Sequence, residues 1–416
     1  MCFFNKTICL RSVRGLFGFI LICCFGCQVN NPDRNIEVDV VQTVVPEKKG
    51  LRIATFNASL NRNSLFELRE ELKSPDSKQI QLVAETIQRV RPDVLLINEI
   101  DFDETHQTID LFQRNYLQVS QNNAEPIEYK YAYIAPVNTG IDSGEDLNNN
   151  LELGEPEDAF GFGRFPGQYG MALFSRFPIQ VDDVRTFQLF LWKDMPDPLW
   201  PVNQDGSQYY SAAAKEKFRI SSKSHWIVPI QVGGQKLNMV CAHPTPPVFD
   251  GPEDRNGRRN HDEIRLIVDM IDGKTYLVDD QGRRGALNED DLFVVLGDLN
   301  SDPEDGDSLQ EGILRLLKHP RVNSMKTPAS EGGVAAARKV GKKNATHRGD
   351  PAFDTADFND DVVGNLRVDY VLPSVTIPIV QSGVFWPTSS SRFDYLNQAS
   401  DHRLVWIDTQ ISPDVE

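Results

Sequence analysis

Short apolar runs separated by polar turns dominate the chain from residue 51 onward. Apolar runs of four to eight residues, bounded by Gly, Pro, Asn or Asp, indicate buried strands. The runs that predict strands are LRIATFN (51–57), DVLLINEID (93–101), YKYAYIAP (129–136), MALFSRFPI (171–179), HWIVPIQV (225–232), QKLNMVCAHP (235–244), LFVVLGDLN (292–300), RVDYVLPS (367–374), GVFWP (383–387) and HRLVWIDTQ (402–410). Strands are therefore expected along nearly the whole chain.

Three other stretches follow the period of a helix. IQLVAETIQRV (80–90) places its apolar residues on one helical face, DEIRLIVDMI (262–271) is amphipathic with acids in its first turn, and LQEGILRLLKH (309–319) has the same character. These helices are fewer than the strands and do not alternate regularly with them, and the chain has no internal repeat. The pattern predicts an α+β fold of packed layers in a single domain, and not a doubly wound sheet.

The first 26 residues have the pattern of an export signal. Basic residues precede the apolar stretch GLFGFILICCFG (15–26), which is too short to span a membrane. The glycine before Cys27 resembles the end of a bacterial lipoprotein signal, in which the cysteine is lipidated after cleavage. We predict a signal peptide over 1–26 and lipidation of Cys27, with plain secretion as the alternative. The protein would reach the bacterial cell envelope and touch a membrane only through this lipid.

The cysteines indicate how the rest of the chain is held together. Four of the six lie in the predicted signal, which leaves Cys27 and Cys241. An exported domain without a cysteine pair has no disulfide framework and must rely on a large hydrophobic core. Residues 27–50 are polar and without strong periodicity, so we predict a tether there and a folded domain over 51–412.

Net charge limits the function classes. The chain carries 43 basic and 60 acidic residues, a formal net charge of −17. This argues against a basic protein that coats nucleic acid. It does not exclude an enzyme for anionic substrates, because a bound cation can invert the local field.

Polar side chains stand at the ends of the predicted strands. A single Asn or Asp after a strand is usually a turn residue, and a single His is usually structural. Their recurrence at so many apolar runs favours a functional site, because strand ends are where α/β-type proteins build sites. The residues are Asn57, Glu99, His243, Asp298, Asn300, Asp369, Asp401 and His402.

Seven stretches together resemble the endonuclease/exonuclease/phosphatase family, the superfamily of pancreatic deoxyribonuclease, apurinic-site endonucleases, inositol-polyphosphate phosphatases and neutral sphingomyelinases. They are TFN (55–57), INEID (97–101), YGMALFSRFPI (169–179), CAHP (241–244), GDLN (297–300), RVDYVLPS (367–374) and SDHRLVWID (400–408). They occur in the family's order and span residues 51–410. The resemblance implies a four-layer α/β/β/α sandwich, in which two mixed β-sheets pack face to face with helices outside.

The resemblance also implies a metal site. Glu99 corresponds to the acid that holds a divalent metal, with Asn57 beside it, and Asp401 is expected within reach of the ion. Mg2+, or Mn2+ in its place, suits such a set because Mg2+ takes few protein oxygens and keeps several waters.

The remaining strand-end residues take catalytic roles by the same resemblance. His402 resembles the general base or the charge-assisted donor at phosphorus, and Asp369 would orient it. Asp298 and Asn300 would bind and polarise the attacking water or the phosphoryl oxygens. His243 matches the position that contacts the phosphate or protonates the leaving oxygen. These residue types suit the reaction because extra negative charge develops on phosphorus while water loses a proton.

Several features lie outside the family pattern. Arg255, Arg258 and Arg259 are clustered shortly after His243, and we predict a clamp for substrate phosphate, since Arg binds such oxygens bidentately. The alternative is a solvated loop whose arginines pair with neighbouring acids. Arg176 is a further candidate phosphate contact, or else a structural surface residue.

The acidic stretch DLNNNLELGEPED (146–158) partly matches a calcium-loop template. Four of its residues fall at template positions 1, 3, 5 and 12, namely Asp146, Asn148, Asn150 and Glu157. Leu151 stands where the template has glycine, so a plain solvated acidic loop is the favoured alternative to a structural Ca2+ site.

Together these features predict an exported, metal-dependent hydrolase of phosphate esters, acting as a monomer on a phosphodiester by His/Asp-activated attack of water. A nuclease is slightly favoured by family frequency, although no aromatic and basic stripe for nucleic acid is evident. The alternatives are a phosphatase, a phospholipid or sphingolipid phosphodiesterase, and an inactive surface-binding member of the fold. The presence of all eight strand-end residues argues against the inactive alternative.

Overall fold

The computed structural model describes residues 45–411, so the predicted signal peptide, Cys27 and most of the predicted tether lie outside the described residues. The strands are β1 (Leu51–Leu60), β2 (Val94–Ile100), β3 (Tyr131–Tyr133), β4 (Gly170–Ser175), β5 (Arg185–Thr186), β6 (His225–Val232), β7 (Gln235–Ala242), β8 (Phe293–Asp298), β9 (Ala356–Asp357), β10 (Asn365–Leu366), β11 (Asp369–Pro373), β12 (Ile379–Phe385) and β13 (Leu404–Thr409). The helices are α1 (Glu67–Glu71), α2 (Lys78–Val90), α3 (Gln107–Phe112), α4 (Ala212–Lys217), α5 (Arg255–Ile271), α6 (Glu311–Leu317) and α7 (Glu331–Val340).

Two large sheets contain most of the strands. The first has the order β12-β13-β1-β2-β4-β3, and the second has the order β11-β8-β7-β6-β5. Both sheets are mixed. β1 and β2 are parallel in the first sheet, β7 and β8 are parallel in the second, and the other neighbours are antiparallel.

Three large apolar clusters of the described residues lie between successive layers. The middle cluster joins the sheets through residues such as Leu51, Ile53 and Val94 on one side and Val294 and Leu296 on the other. One outer cluster packs α2 and its neighbours on the first sheet, and the other packs α5 and α6 on the second. Each buried Leu or Ile contributes about 1.5–3 kcal/mol. The predicted α+β, four-layer α/β/β/α sandwich is confirmed.

The alternation of side chains along the strands aims the polar strand ends into the space between the sheets. In β1, Leu51 and Ile53 face the second sheet, whereas Ala54 and Phe56 face α2. Because side chains alternate with a period of two, Asn57 falls on the same face as Ile53. The same argument places Asp298 after Leu296 on the inner face of β8. The apolar core between the sheets thus gives way to polar residues at one edge.

The described residues before β1 belong to the packed domain. The carbonyl oxygens of Pro46 and Glu47 accept hydrogen bonds from Arg52 and Gln381, and the backbone N–H of Lys49 donates to Asp408. The end of the predicted tether is therefore tied to β1, β12 and β13. Within residues 45–411, no helix has both the length and the apolar character needed to cross a bilayer.

Candidate active site

One carboxylate oxygen is contacted by side chains from the ends of strands in both sheets. Oδ2 of Asp298, at the end of β8, accepts a hydrogen bond of 3.0 Å from Nδ2 of Asn57, at the corresponding edge of β1. Nε2 of His243 lies 3.4 Å from the same oxygen, and Nε2 of His402 lies 3.7 Å from it. These side chains are buried. The structure therefore brings together four of the predicted site residues, although they lie up to 345 positions apart in sequence.

His402 is held by a second carboxylate. Its Nδ1 lies 2.9 Å from Oδ2 of Asp369, which also accepts a 2.8 Å hydrogen bond from the hydroxyl of Thr355. The ring of Phe358 meets the imidazole edge to face at 5.3 Å. Asp369 is the direct cross-strand partner of Asp298. Two carboxylates in that relationship repel each other, so a cation between them is favoured.

The charges of these groups follow from their surroundings. Burial opposes the charge on His402, but Asp369 and Asp298 outweigh it and raise the pKa of the imidazole to about 10. Burial also disfavours the Asp298 carboxylate, yet His402 and His243 hold its pKa well below the usual value. Burial raises the pKa of Asp369 to about 6, despite His402. At neutral pH the group therefore contains an imidazolium and two carboxylates.

The pKa of His243 is shifted in the opposite direction from that of His402. Burial, reinforced by the charge of Lys223, lowers the pKa of its imidazole. A neutral ring can still donate from Nε2 toward Asp298. Its Nδ1 is buried and has no hydrogen-bond partner among the described residues.

Glu99 occupies an irregular point at the end of β2. Its φ of 62° lies in the left-handed region, where the pairing of β2 with both neighbours shifts register. Non-glycine residues in this region cost about 1–3 kcal/mol and cluster at functional sites. The irregularity interrupts the alternation of the strand at this residue. The half-buried carboxylate accepts a hydrogen bond of 2.8 Å from Nδ2 of Asn61.

Asn300 and Asp401 are close to the group but differ in character. The backbone N–H of Asn300 donates to Oδ1 of Asp298 at 2.9 Å, and its side chain donates to the carbonyl of Pro244. Asn300 thus fixes Asp298 and the segment after His243. Asp401 is exposed and accepts long hydrogen bonds of 3.4 Å from the hydroxyls of Ser59 and Ser400.

The donor set fits a hard divalent cation. Asp298, Asp369 and His402 offer ligand atoms that all lie within 4.8 Å of one another. In addition, Oδ1 of Asp369 is buried without a hydrogen-bond partner among the described residues. Carboxylate oxygens such as these and those of Glu99 are the ligands that Mg2+ and Mn2+ prefer.

Sequence reasoning missed two residues of this region. Asn98 bridges the sheets: its Oδ1 accepts from the Thr55 hydroxyl at 3.3 Å and from the Asp298 N–H at 3.4 Å, and its Nδ2 donates to the carbonyl of Ala242. Asn98 lies two residues after Leu96, which faces the core between the sheets, and this spacing is the sequence signal that could have identified it.

The second missed residue is Lys223, which is only 6% exposed. Burial lowers its pKa, while Glu263, Glu99 and Asp298 oppose that shift. The described residues provide its ammonium group with no side-chain hydrogen bond or ion pair. A buried lysine facing acids just ahead of β6 had no motif by which it could be recognised.

The predicted role as a phosphate contact is wrong for two of the four arginines. β4 runs antiparallel to β2, so Arg176 lies beside Asp93 at the opposite edge of the sheet from Glu99, 3.4 Å from that carboxylate. Arg259 is 6% exposed, and its guanidinium donates to the backbone carbonyls of Ile220, Phe160 and Arg219. Both arginines have structural partners.

The other two arginines of the cluster differ from each other. Arg255 forms an ion pair with Glu253, as the alternative interpretation of this loop expected. Arg258 is half-buried, and its Nε has no hydrogen-bond partner among the described residues, so its phosphate role stays a prediction.

The predicted calcium loop is closed by its own groups. Asp146 accepts hydrogen bonds from the backbone N–H groups of Asn150 and Leu151. The side chains of Asn148 and Asn150 donate to Glu155. Glu157, the predicted twelfth ligand, is exposed instead. Glu155, which the template does not include, is therefore the acid that the side chains of this loop contact, and Ca2+ binding at the template positions stays a prediction.

Comparison with known proteins agrees with this architecture. The family model described as endonuclease/exonuclease/phosphatase family matches residues 54–402. No curated protein matches the chain in sequence.

Solved structures with a similar fold include three bacterial proteins. An endonuclease/exonuclease/phosphatase from Beutenbergia cavernae is 16% identical, with 88% of this chain and 72% of that chain covered and a TM-score of 0.46. A family protein from Leptotrichia buccalis is 15% identical, with 86% and 99% covered and a TM-score of 0.44. Sphingomyelinase C from Streptomyces griseocarneus is 14% identical, with 86% and 99% covered and a TM-score of 0.43.

Proposed function

The chain belongs to the endonuclease/exonuclease/phosphatase family, and we propose that it is a metal-dependent phosphoesterase that hydrolyses a phosphodiester by attack of water at phosphorus. The observation that carries this proposal is the convergence on Oδ2 of Asp298. An amide and two imidazoles from separate strand ends lie within 3.7 Å of that single oxygen. A purely structural carboxylate does not need three such partners with a second His–Asp pair beside it.

His402 acts in its protonated form. Asp369 orients the ring through Nδ1 and stabilises the positive charge, which leaves Nε2 to donate. A charge-assisted hydrogen bond from Nε2 stabilises the negative charge that develops on the phosphoryl group. The same nitrogen then gives its proton to the leaving oxygen. The raised pKa of His402 supports this donor role over that of a general base.

Asp298 acts on the attacking water. Its carboxylate is ionised and accepts a hydrogen bond from the water, which orients the lone pair toward phosphorus. The water oxygen bonds to phosphorus as the bond to the ester oxygen breaks. The proton that water loses passes to the Asp298 carboxylate, and the leaving oxygen takes the proton of His402 Nε2, which Asp298, 3.7 Å away, then replaces. Asn57 and Asn300 hold Asp298 in place, and His243, which is neutral, donates from Nε2 into the same space.

Glu99 is the residue to which we assign the metal ion, with Asn57 at its side and Asp401 at the exposed rim. We prefer this set to the Asp298, Asp369 and His402 group because His402 and Asp369 already bond to each other. A bound Mg2+ or Mn2+ supplies Lewis-acid stabilisation of phosphoryl oxygens and a more acidic water. Lys223 adds a buried positive charge that interacts with Glu99 and Asp298 and is suited to an anionic substrate.

Export and lipidation complete the proposal. They are supported by the sequence pattern of residues 1–27, and they place a monomeric hydrolase at the bacterial cell envelope with membrane contact through the lipid alone.

The test is hydrolysis by the soluble chain that begins at residue 28. Plasmid DNA and bis(p-nitrophenyl) phosphate would be assayed with Mg2+, with EDTA and with the His402→Ala variant, and the exposed His106→Asn variant serves as the control. We expect metal-dependent hydrolysis that falls by at least a hundredfold in His402→Ala and persists in His106→Asn. Cutting of the plasmid would establish a nuclease. Failure of folded wild type to cleave either diester would remove the proposed function.

A further inference from the structure

A cavity of about 380 Å³ lies between the loops that follow β1, β2 and β3 and the loop that precedes β4, and we call it the side pocket. Its apolar walls come from loops that are distant in sequence. They are Leu65, Phe66, Phe102, Pro136, Ile141 and Pro166. Its volume lies within the range of pockets that bind small molecules.

The side pocket continues the line of the active site along one sheet edge. The order β13-β1-β2-β4 places His402, Asn57 and Glu99 in succession, at the ends of the first three strands. Phe102 follows Glu99 by three residues, and the loop that contains Leu65 begins after Asn61, whose amide bonds to Glu99. A group attached to a phosphate at Glu99 therefore has the pocket as its neighbour.

The loops between Glu99 and the side pocket are tied together by hydrogen bonds. Asp101 accepts hydrogen bonds from the backbone N–H of Arg62 at 2.8 Å and from that of Tyr169 at 3.2 Å. The side chain of Gln168 donates to the carbonyl of Arg62. These bonds fix the loops that form the pocket, so the cavity is preformed.

The lining selects the chemistry of the occupant. Leu65 and Phe66 are 47% and 43% exposed, which is costly for large apolar side chains unless a ligand covers them. The charged residues among the described lining are the acids Asp103 and Glu104, with no basic residue present. The pocket therefore favours an apolar group without negative charge and repels a further phosphate.

We propose that the side pocket binds the ester group that stays on phosphorus when the leaving group departs, and that this group is an apolar aryl or alkyl group without negative charge. This inference rests on the proposed phosphodiesterase function and specifies its substrate class. A nucleic-acid strand is the disfavoured occupant, because its next phosphate would approach Asp103 and Glu104. Binding of such a substrate is stabilised by burial of apolar surface, whereas a nuclease binds its substrate through basic residues.

Matched diesters test the proposal. Methyl, phenyl and hexyl p-nitrophenyl phosphate share a leaving group and differ only in the second ester group. We expect kcat/KM for the phenyl or hexyl ester to exceed that for the methyl ester by at least tenfold, the value typical of burying several carbon atoms. The better of the two identifies an aryl or an alkyl occupant.

A pair of variants locates the preference. Leu65→Ser should reduce the preference for the larger ester at least fivefold while leaving kcat/KM for the methyl ester unchanged. Leu189→Ser, which removes an equally exposed leucine at 47%, should keep it. Equal kcat/KM for all three esters, or a preference that persists in Leu65→Ser, would overturn the side pocket as a subsite and leave the hydrolase intact. If the folded protein cuts plasmid DNA or bis(p-nitrophenyl) phosphate but hydrolyses none of these three esters, the side-pocket inference alone fails. If it cleaves no diester at all, both proposals fail.

Discussion

Nδ1 of His402 lies 2.9 Å from Oδ2 of Asp369, although the strands next to these two residues belong to different sheets. Asp369 begins β11 of the second sheet, and His402 precedes β13 of the first. The pair therefore forms only when the sandwich is closed, and it links the orientation of the imidazole to the packing of the sheets. Its contribution to catalysis can be separated from its contribution to folding.

Replacing Asp369 by Asn should lower kcat by about 10²- to 10⁴-fold, because the amide cannot stabilise the imidazolium and selects the wrong proton arrangement on the ring. KM should change little. Steady-state hydrolysis of bis(p-nitrophenyl) phosphate measures both values, and circular dichroism verifies folding. Thr355→Val, which removes the hydroxyl that also contacts Asp369, should have a smaller effect. A kcat within threefold of wild type in folded Asp369→Asn would refute the assigned role.

Glu99→Gln should weaken binding of the metal ion that the proposed reaction requires. Loss of one anionic ligand should raise the Mg2+ concentration for half-maximal activity at least tenfold. A Mg2+ titration of activity gives this value, and Glu128→Gln, at an exposed acid elsewhere, is the matched control. An unchanged titration would indicate that the ion binds at the Asp298, Asp369 and His402 group and not at Glu99.

Lys223→Met should impair substrate binding more than turnover. The buried ammonium group is expected to pair with the anionic substrate, so its loss should raise KM about tenfold or more and weaken competitive inhibition by inorganic phosphate. Lys236→Met removes an exposed lysine as the control. Unchanged inhibition by phosphate would show that Lys223 only balances the surrounding acids.

Asp354→Asn should stabilise the protein in alkaline solution. Asp354 is 8% exposed, and burial, together with Asp302 and further acids, raises its pKa from 3.8 to about 8. Since the folded pKa is the higher one, folding favours the protonated acid, and stability falls as pH rises from about 4 to about 8. The variant should gain about 2–4 kcal/mol at pH 8 and nothing at pH 4.

Urea unfolding at the two pH values measures this difference. A variant less stable than wild type at pH 8 would contradict the prediction, since it would mean that the ionised Asp354 has a stabilising partner.

The apolar runs predicted most strands of the two sheets and the three helices at 80–90, 262–271 and 309–319 because local periodicity records which face is buried, whereas the arrangement of two sheets face to face was implied by the family resemblance. The ends of those runs also predicted the residues around Asp298. Arg176 was misplaced because the direction of β4 relative to β2 is decided by pairing across the sheet, which local pattern does not record. Arg259 was misplaced because α5 begins before the apolar pattern does and turns this arginine inward.

Other parts of the site depend on contacts between distant segments. Lys223 carries no sequence signal, since a lysine before a strand is ordinarily solvated. The side pocket requires the loops near Leu65, Pro136 and Pro166 to meet, and none of these loops has a motif. Such features follow from the closed structure and not from any stretch of ten residues.

The pairing of β13 with β1 also sets the order of events during synthesis. Leu51 pairs with Thr409, so the first strand of the described domain can pair with its partner only after the last strand of that domain has been made. His402 enters only with that final strand. A nascent chain consequently lacks the His402–Asp369 pair until the last strand of the domain has been translated. If the proposed hydrolysis depends on this pair, a product that stops before residue 402 would be inert, and the topology would delay activity until the whole domain has been made.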